Sequence, residues 1–284
     1  MTQTYHFDGK SLVIVDTALG IAIDEPFCPQ LLPSFEKLKS RREITIDTSA
    51  SDQEISVGFR TEKGFEGQWR CFTLEGRLKA ECYYRDGHLH GPSRFYDKSG
   101  QCLSESWFYS GLQHGKVERY YQSGALSALE HYVAGKREGQ QTYYYSSGKI
   151  KTEMGYCNGK LEGEVHLFWP HGKKKRSCYF RAGEREGFDR IWSATGVLLD
   201  EGKYKAGAPI ARHRCWHENG TLQSMRCYHA PDRFDSWQWD ANGKPLYEAI
   251  FDDKLNCLEK RWREGKVHVR RGKWAQNQVE WEQP

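Results

Sequence analysis

Polar and hydrophobic positions recur in this chain with a period of 24 residues, and glycines mark the same period. Counting Gly67 as the first residue of a repeat, columns 1, 10 and 21 hold glycine in most repeats. The three columns are Gly67, Gly91, Gly115, Gly139, Gly163 and Gly187; Gly76, Gly100, Gly124, Gly148, Gly172, Gly196 and Gly220; and Gly87, Gly111, Gly135, Gly159, Gly183 and Gly207. Three glycine columns in register indicate an internal repeat.

Hydrophobic side chains keep the same spacing in columns 6, 12 and 18. Columns 6 and 18 hold aromatic rings, and column 12 is mostly aliphatic, with Lys174 as the discordant residue. The members are Phe72, Tyr96, Tyr120, Tyr144, Phe168, Trp192 and Trp216; Leu78, Cys102, Leu126, Ile150, Lys174, Leu198 and Leu222; and Tyr84, Phe108, Tyr132, Tyr156, Phe180, Tyr204 and Tyr228. Because side chains alternate along a strand, we expect these three columns to line one buried face.

Each repeat has the pattern of a β-hairpin. Short segments rich in aromatic and β-branched residues are separated by turn glycines, and Asp86-Gly87 and Asn158-Gly159 are typical type I′ dipeptides. No helical pattern interrupts the repeats, so the strands must be antiparallel and joined by tight turns. The sequence therefore predicts an all-β fold, an elongated antiparallel meander of about 16–18 strands built from 24-residue hairpins.

The repeats define the expected domain organisation. The array is predicted over residues 55–284, with units starting near 67, 91, 115, 139, 163, 187, 211, 235 and 258, the last two being decayed. Residues 1–54 are predicted to form a small α+β cap. Within it, 11–15 and 18–23 have the pattern of a strand pair, 30–42 of an amphipathic helix, and Ile44 and Ile46 of a further strand. This segment either covers an edge strand or serves in docking or targeting.

The repeat resembles the MORN repeat family, in particular the variant form found in bacterial antitoxin-like proteins. Its signature is matched in one unit by Gly139, Tyr144, Gly148, Ile150, Glu153, Tyr156, Gly159, Lys160 and Gly163, and in another by Gly187, Trp192, Gly196, Leu198, Glu201, Tyr204 and Gly207. The resemblance implies the fold more strongly than the function, because MORN repeats occur in scaffolds and in membrane-associated proteins.

Composition narrows the class of protein. The chain is 38% hydrophobic but 14% aromatic, which argues against disorder and favours a thin structure buried under rings. A net charge of +4 is too small to indicate nucleic-acid binding. The nine cysteines form no CxxC pair, and neither a signal peptide nor an apolar membrane-spanning run is present, so we expect a cytoplasmic protein with reduced thiols.

Enzyme motifs for nucleotide, metal-hydrolase or serine-hydrolase chemistry are absent, and we expect no catalytic residues and no cofactor. The column of glutamates at Glu81, Glu105, Glu153 and Glu201 is better explained by cross-strand pairing with lysines and arginines than by catalysis. His213, Cys215, His217, Cys227 and His229 cluster in one unit, but the hairpin should pair Cys215 with about Gln223 rather than Cys227, so no zinc site is expected. His88 and His90 beside a turn are expected to be solvated.

The sharpest local charge feature is a basic hairpin turn. It comprises Trp169, His171, Lys173, Lys174, Lys175 and Arg176, and Lys174 replaces the usual aliphatic residue of column 12. Basic turns beside an exposed aromatic ring can contact an anionic lipid surface or an acidic partner, although a simple solvated turn has the same composition. A second basic stretch, 261–271, is expected to protect the last edge strand.

Taken together, these patterns predict a non-enzymatic protein that binds another protein, as a scaffold or as an antitoxin-like or immunity-like partner. The alternative is a peripheral membrane protein that binds anionic lipids through the basic turn. No nucleic acid and no small-molecule substrate is expected.

Overall fold

A computed structural model describes residues 4–7, 11–16, 21–26, 44–45, 54–73 and 77–283, with side chains from residue 62 onward. The chain divides into two compact units, Met1–Arg137 and Glu138–Pro284. All regular elements among the described residues are β-strands. No helix in this part of the chain is long and apolar enough to span a bilayer.

The first unit contains a three-stranded sheet and a longer antiparallel meander, in which each strand pairs with its neighbour in sequence. The sheet comprises β1 (Thr4–Phe7), β2 (Ser11–Asp16) and β3 (Ile21–Pro26). The meander comprises β4 (Ile44–Thr45), β5 (Glu54–Thr61), β6 (Gly64–Thr73), β7 (Leu78–Arg85), β8 (His88–Tyr96), β9 (Cys102–Tyr109), β10 (Leu112–Tyr120), β11 (Leu126–Val133) and β12 (Lys136–Arg137).

The second unit continues the same pattern with antiparallel pairing of consecutive strands. Its strands are β13 (Gly139–Tyr144), β14 (Ile150–Cys157), β15 (Lys160–Phe168), β16 (Lys174–Arg181), β17 (Glu184–Trp192), β18 (Leu198–Lys205), β19 (Ala208–Trp216), β20 (Leu222–Ala230), β21 (Arg233–Trp239), β22 (Pro245–Phe251), β23 (Asn256–Arg263), β24 (Lys266–Ala275) and β25 (Gln278–Trp281).

The predicted all-β meander of hairpin repeats is confirmed. Between β5 and β25, 20 strands have four or more residues in the described part of the chain, compared with the predicted 16–18. The nine predicted units supply two strands each, and the two additional strands, β5 and β25, flank them at either end. The nine units are therefore flanked on each side by a strand that carries no repeat signal.

One repeat shows how the glycines act. In the unit that starts at Gly163, β15 pairs with β16, and the connection closes with a hydrogen bond of 2.8 Å from the Trp169 amide to the Lys173 carbonyl. The type I′ turns are confirmed, since Asp86 and Gly87 have φ of 48° and 78°. Gly187, in column 1, has φ of 75° and lies within a bulge, where one residue of β16, Cys178, opposes three residues of β17. This bulge is absent where the decayed units begin, since β20 pairs with β21 without interruption from Ser224 to Tyr228. Without the extra residues of the bulge, the 24-residue period is not kept.

The expectation that columns 6, 12 and 18 share one face is wrong. Tyr96 of column 6 donates a hydrogen bond of 2.9 Å from its hydroxyl to Glu81 of column 15, so column 6 lies on the face of column 15. Tyr84 of column 18 lies on the other face, two residues from Cys82 of column 16. The cause is a second bulge: Cys71 pairs with Ala80 but Phe72 pairs with Leu78, and the inserted residue reverses the alternation.

The core lies in columns 3, 14 and 16 instead. Val117, Ala128 and Cys178 are 1%, 4% and 5% exposed, whereas most rings of columns 6 and 18 are only half-buried. Small side chains are buried in these columns together with the polar side chains of Gln141 and Glu130, which are 0% exposed, and the rings of columns 6 and 18 lie on opposite faces. The sheet is thus stabilised by many partial burials rather than by one thick core.

The N-terminal strand pair is confirmed, because β2 pairs antiparallel with β3, although β3 begins at Ile21 rather than residue 18. Strand β1 was not expected. The predicted strand at Ile44 corresponds to β4, which pairs with β5. The predicted helix over 30–42 lies outside the described residues, and the boundary at residue 54 stays a prediction.

Candidate binding surfaces

The basic turn that the sequence singles out lies between β15 and β16, and its side chains divide into two groups. His171 and Lys174 are exposed, and Lys175 places its ammonium 4.4 Å from the centre of the Trp169 ring. Lys173 instead donates to the carbonyl of Thr195 in the next long turn at 2.8 Å. The Trp169 indole also donates to the next repeat, to the Trp192 carbonyl at 3.1 Å.

Arg176 belongs to the sheet rather than to the turn. Its guanidinium binds both carboxylate oxygens of Asp189, with nitrogen–oxygen distances of 2.9 and 2.6 Å. The hydrogen bond to Asp189, which is only 5% exposed, raises the pKa of Arg176 above its usual value. His171, Lys173 and Lys174 are therefore exposed and Lys175 is half-buried, while the side chains of Trp169, Lys173 and Arg176 join one repeat to the next.

The glutamate column is a ladder of ion pairs on one sheet face. Glu81 lies between Arg70 and Arg94, at 3.8 and 3.0 Å. Glu201 likewise lies between Arg190 and Arg214, at 2.7 and 3.3 Å. The predicted cross-strand pairing with arginines is confirmed for these glutamates, since each carboxylate bridges two neighbouring strands.

The histidines and cysteines near 213–229 have separate partners. The His213 ring contacts the Lys203 carbonyl at 2.9 Å, and the His229 ring contacts Asp235 at 2.8 Å. The Cys215 thiol donates to Asp200 at 3.0 Å. The predicted register is right to within one residue, because Cys215 pairs with Ser224 and Cys227 pairs with Arg212. No group of three or more potential metal ligands occurs among the described residues.

The second basic stretch does not protect an edge. Strand β24, which holds most of it, pairs with β23 on one side and β25 on the other. Arg261 and Arg270 lie 2.7 and 3.7 Å from Glu259, which is 2% exposed. The expectation of an edge-protecting role is wrong because an unforeseen strand, β25, follows. These arginines instead neutralise a buried carboxylate.

Sequence reasoning missed an apolar strip at the short hairpin turns of the first unit, which we name the apolar edge. It consists of Tyr109, Leu112 and Val133, which are 61%, 52% and 49% exposed. Tyr109 and Leu112 are cross-strand partners, and a Cβ atom on Gly135 would lie 3.6 Å from the Leu112 Cδ2, so Leu112 reaches over the next turn. His90 and His114 flank the Tyr109 ring at 5.0 and 6.0 Å between ring centres.

A comparison of the repeats shows that the apolar edge differs from the equivalent positions elsewhere in the array. Columns 19 and 22 are mostly charged elsewhere, as in Arg85, Arg181, Lys205, Lys136, Lys160 and Glu184. Large exposed hydrophobic residues at positions that other repeats fill with charge are costly unless something covers them. Columns 19 and 22 were not among the hydrophobic columns of the repeat. A comparison of these two columns between repeats would have revealed the exposed hydrophobic residues.

Comparisons with known proteins give a family match for two of the repeats. No curated protein matches the chain. A crystal structure of a protein from Lactobacillus plantarum is similar over 99% of this chain and 96% of that one, with 10% sequence identity and a TM-score of 0.17. The model of the MORN repeat variant matches residues 113–134 and 137–158, so two hairpins of this array match that family.

Proposed function

We propose that this chain is a non-enzymatic, cytoplasmic repeat protein that binds another protein through the apolar edge. The observation that supports this is the exposure of Tyr109, Leu112 and Val133 at positions where other repeats carry charge. Tyrosine is a favoured anchor of interfaces, and an exposed apolar strip beside it can be buried by a partner. The histidines beside Tyr109 and the charged repeats on either side would supply the polar rim.

The match to the MORN repeat variant supports a repeat-based interaction role and leaves the partner open. A finer version of the proposal is that binding neutralises the partner, as antitoxin and immunity proteins do. Inhibition of the captured partner's activity by the purified chain would separate this version from a scaffold, which would leave that activity intact.

The test exchanges the apolar edge for the chemistry of another repeat. In the variant Tyr109→Arg with Leu112→Glu, the strand pair copies Arg181 and Glu184, which occupy the same columns and pair in the same register. The fold should tolerate it, since the array already accommodates that pair. The purified chain should capture one stoichiometric protein from an extract of its host, and the variant should lose it.

The matched control is Arg181→Ala with Glu184→Ala, which alters the same columns in another repeat and should keep the partner. Equal capture by the edge variant and the wild-type chain would contradict the proposal. So would recovery of general chaperones only.

A second candidate, binding to anionic membranes, is favoured by one observation. Lys174 is exposed in a column that other repeats fill mostly with aliphatic residues, and it lies beside Lys175 and His171. The variant Lys174→Leu restores the column and leaves the contact of Lys173 with Thr195 in place. Co-sedimentation with vesicles containing phosphatidylserine, but not with pure phosphatidylcholine, should weaken in this variant and in Lys175→Ala. Unchanged sedimentation would remove this candidate.

A further inference from the structure

A cleft of about 580 Å³ opens on one face of the last six strands, β20 to β25. Small side chains form its floor, where Ser236 pairs with Ala249. Larger rings form its walls: Phe234, Tyr247, Phe251, Trp262, Trp274 and Trp281. The Phe251 and Trp274 rings meet edge to face, 5.7 Å between centres. The volume lies in the range typical of small-molecule sites.

The walls are fixed by close packing. A Cβ atom on the buried Gly272 would lie 2.6 Å from the Glu280 carbonyl and 3.0 Å from the Trp281 ring, so only glycine allows that ring to lie so close to β24. The Arg270 guanidinium covers the Trp281 ring at 4.3 Å. Trp281 is thus held in place before any ligand arrives, which reduces the entropy lost on binding.

The charges around the cleft are unequal. Arg261 lies within it but is bound to the buried carboxylate of Glu259 at 2.7 Å. Arg226 and Arg263 are exposed at the rim, against one exposed carboxylate, Asp232. The Arg226 guanidinium lies 5.0 Å from the centre of the Phe234 ring, so it is positioned beside the aromatic wall. Such a site attracts a negative group while its walls accept a flat ring.

We propose that this cleft binds a small anionic molecule with a planar aromatic ring system. The ring stacks among Phe251, Trp274 and Trp281, and the exposed guanidinium groups of Arg226 and Arg263 attract the anion. This site is separate from the apolar edge and reverses the expectation that the chain has no small-molecule ligand. It lies where the 24-residue period fails, so side chains there are released from the constraints of the regular repeat.

The test uses anilinonaphthalene sulfonate as the anionic probe and N-phenylnaphthylamine, which has the same rings without the sulfonate, as the neutral one. Each is titrated into the full chain, and energy transfer from tryptophan is followed. We expect one anionic probe per chain, bound more tightly than the neutral probe. The double variant Arg226→Met with Arg263→Met should weaken the anionic probe about tenfold and leave the neutral probe unchanged.

The matched control is Arg181→Met with Arg212→Met, which removes two exposed arginines outside the cleft and should leave both affinities unchanged. Trp281→Leu removes a wall and should weaken both probes. Circular dichroism of each variant distinguishes a lost contact from a lost fold. Binding of several anionic probes without saturation, or equal affinity in the arginine variant and the wild-type chain, would overturn the proposal.

Discussion

The carboxylate of Glu162 accepts a hydrogen bond of 2.7 Å from the backbone amide of Ala182, in the hairpin turn of the following repeat. The relationship joins column 24 of one repeat to column 20 of the next, and it recurs along the chain. The equivalent pairs are Glu66 with Asp86 at 2.8 Å, Glu138 with Asn158 at 2.7 Å, and Glu186 with Ala206 at 3.1 Å. Adjacent repeats are therefore joined at their turns as well as through the strand ladder.

Loss of this contact should destabilise the array. In Glu162→Ala the Ala182 amide loses its charged acceptor, and we expect the free energy of unfolding to fall by about 1 kcal/mol. Urea denaturation followed by circular dichroism measures the change. Glu218→Ala, at an exposed long turn, is the control and should change stability by less than about 0.5 kcal/mol. Equal effects of the two substitutions would show that the turn contact adds nothing.

The same turn holds an alanine in a strained conformation. Ala182 has φ of 51°, in the left-handed region where a Cβ atom approaches the following carbonyl. Ala182→Gly should raise the free energy of unfolding by about 0.5–1 kcal/mol, because the relieved strain exceeds the extra entropy of glycine in the unfolded chain. Ala194→Gly, at an exposed turn residue whose φ is not positive, should lower stability instead. A thermal melt of both variants checks the opposite signs.

Buried and exposed ion pairs should differ strongly in their contribution to the free energy of unfolding. Arg176→Met leaves the buried Asp189 with one arginine among the described residues, Arg185 at 3.5 Å, and should cost about 2–4 kcal/mol. Lys63→Met breaks the pair with Asp86, whose side chains are 75% and 60% exposed, and should cost less than about 1 kcal/mol.

A double variant completes this test. The variant Arg176→Met with Asp189→Leu removes both charges and should recover most of the stability lost in Arg176→Met, measured by urea denaturation. If the double variant is as unstable as the single one, packing rather than charge explains the loss.

The period of the sequence predicted the hairpins, their turns and the antiparallel pairing, because glycine columns such as that of Gly87 report local φ requirements. It did not predict which face each ring occupies. One inserted residue between Leu78 and Ala80 reverses alternation, and a bulge leaves no hydrophobic signal. The alternation of side chains predicts which face a residue occupies only within a strand that has no bulge.

The candidate sites were predicted less well for a related reason. The basic turn was found because consecutive lysines stand out in sequence, yet Lys173 and Arg176 have partners in the next repeat. The apolar edge and the aromatic cleft bring together residues from several strands. Leu112 is unremarkable until its column is compared with Glu184, and Trp281 joins Phe251 only through the fold of the last strands.

Buried thiols and phenols should make the fold sensitive to alkali. Burial raises the pKa of Cys82 and of Cys257 from 9.0 to about 11, and that of Tyr84 from 10.0 to about 12. Above pH 9 the unfolded chain releases thiol protons that the folded chain retains. The free energy of unfolding should therefore fall from about pH 9 to pH 11, by up to about 2–3 kcal/mol for each thiol, with the phenol contributing at higher pH.

Stability measured by urea denaturation between pH 7 and pH 11 tests this dependence. The variant Cys82→Ala with Cys257→Ala lacks both buried thiols and should show a shallower decline, even if its stability at pH 7 is lower. Cys157→Ala removes an exposed thiol and should keep the steep decline of the wild-type chain. Parallel pH profiles in all three proteins would mean that the two buried thiols titrate alike in the folded and unfolded states, against the shift that their burial requires.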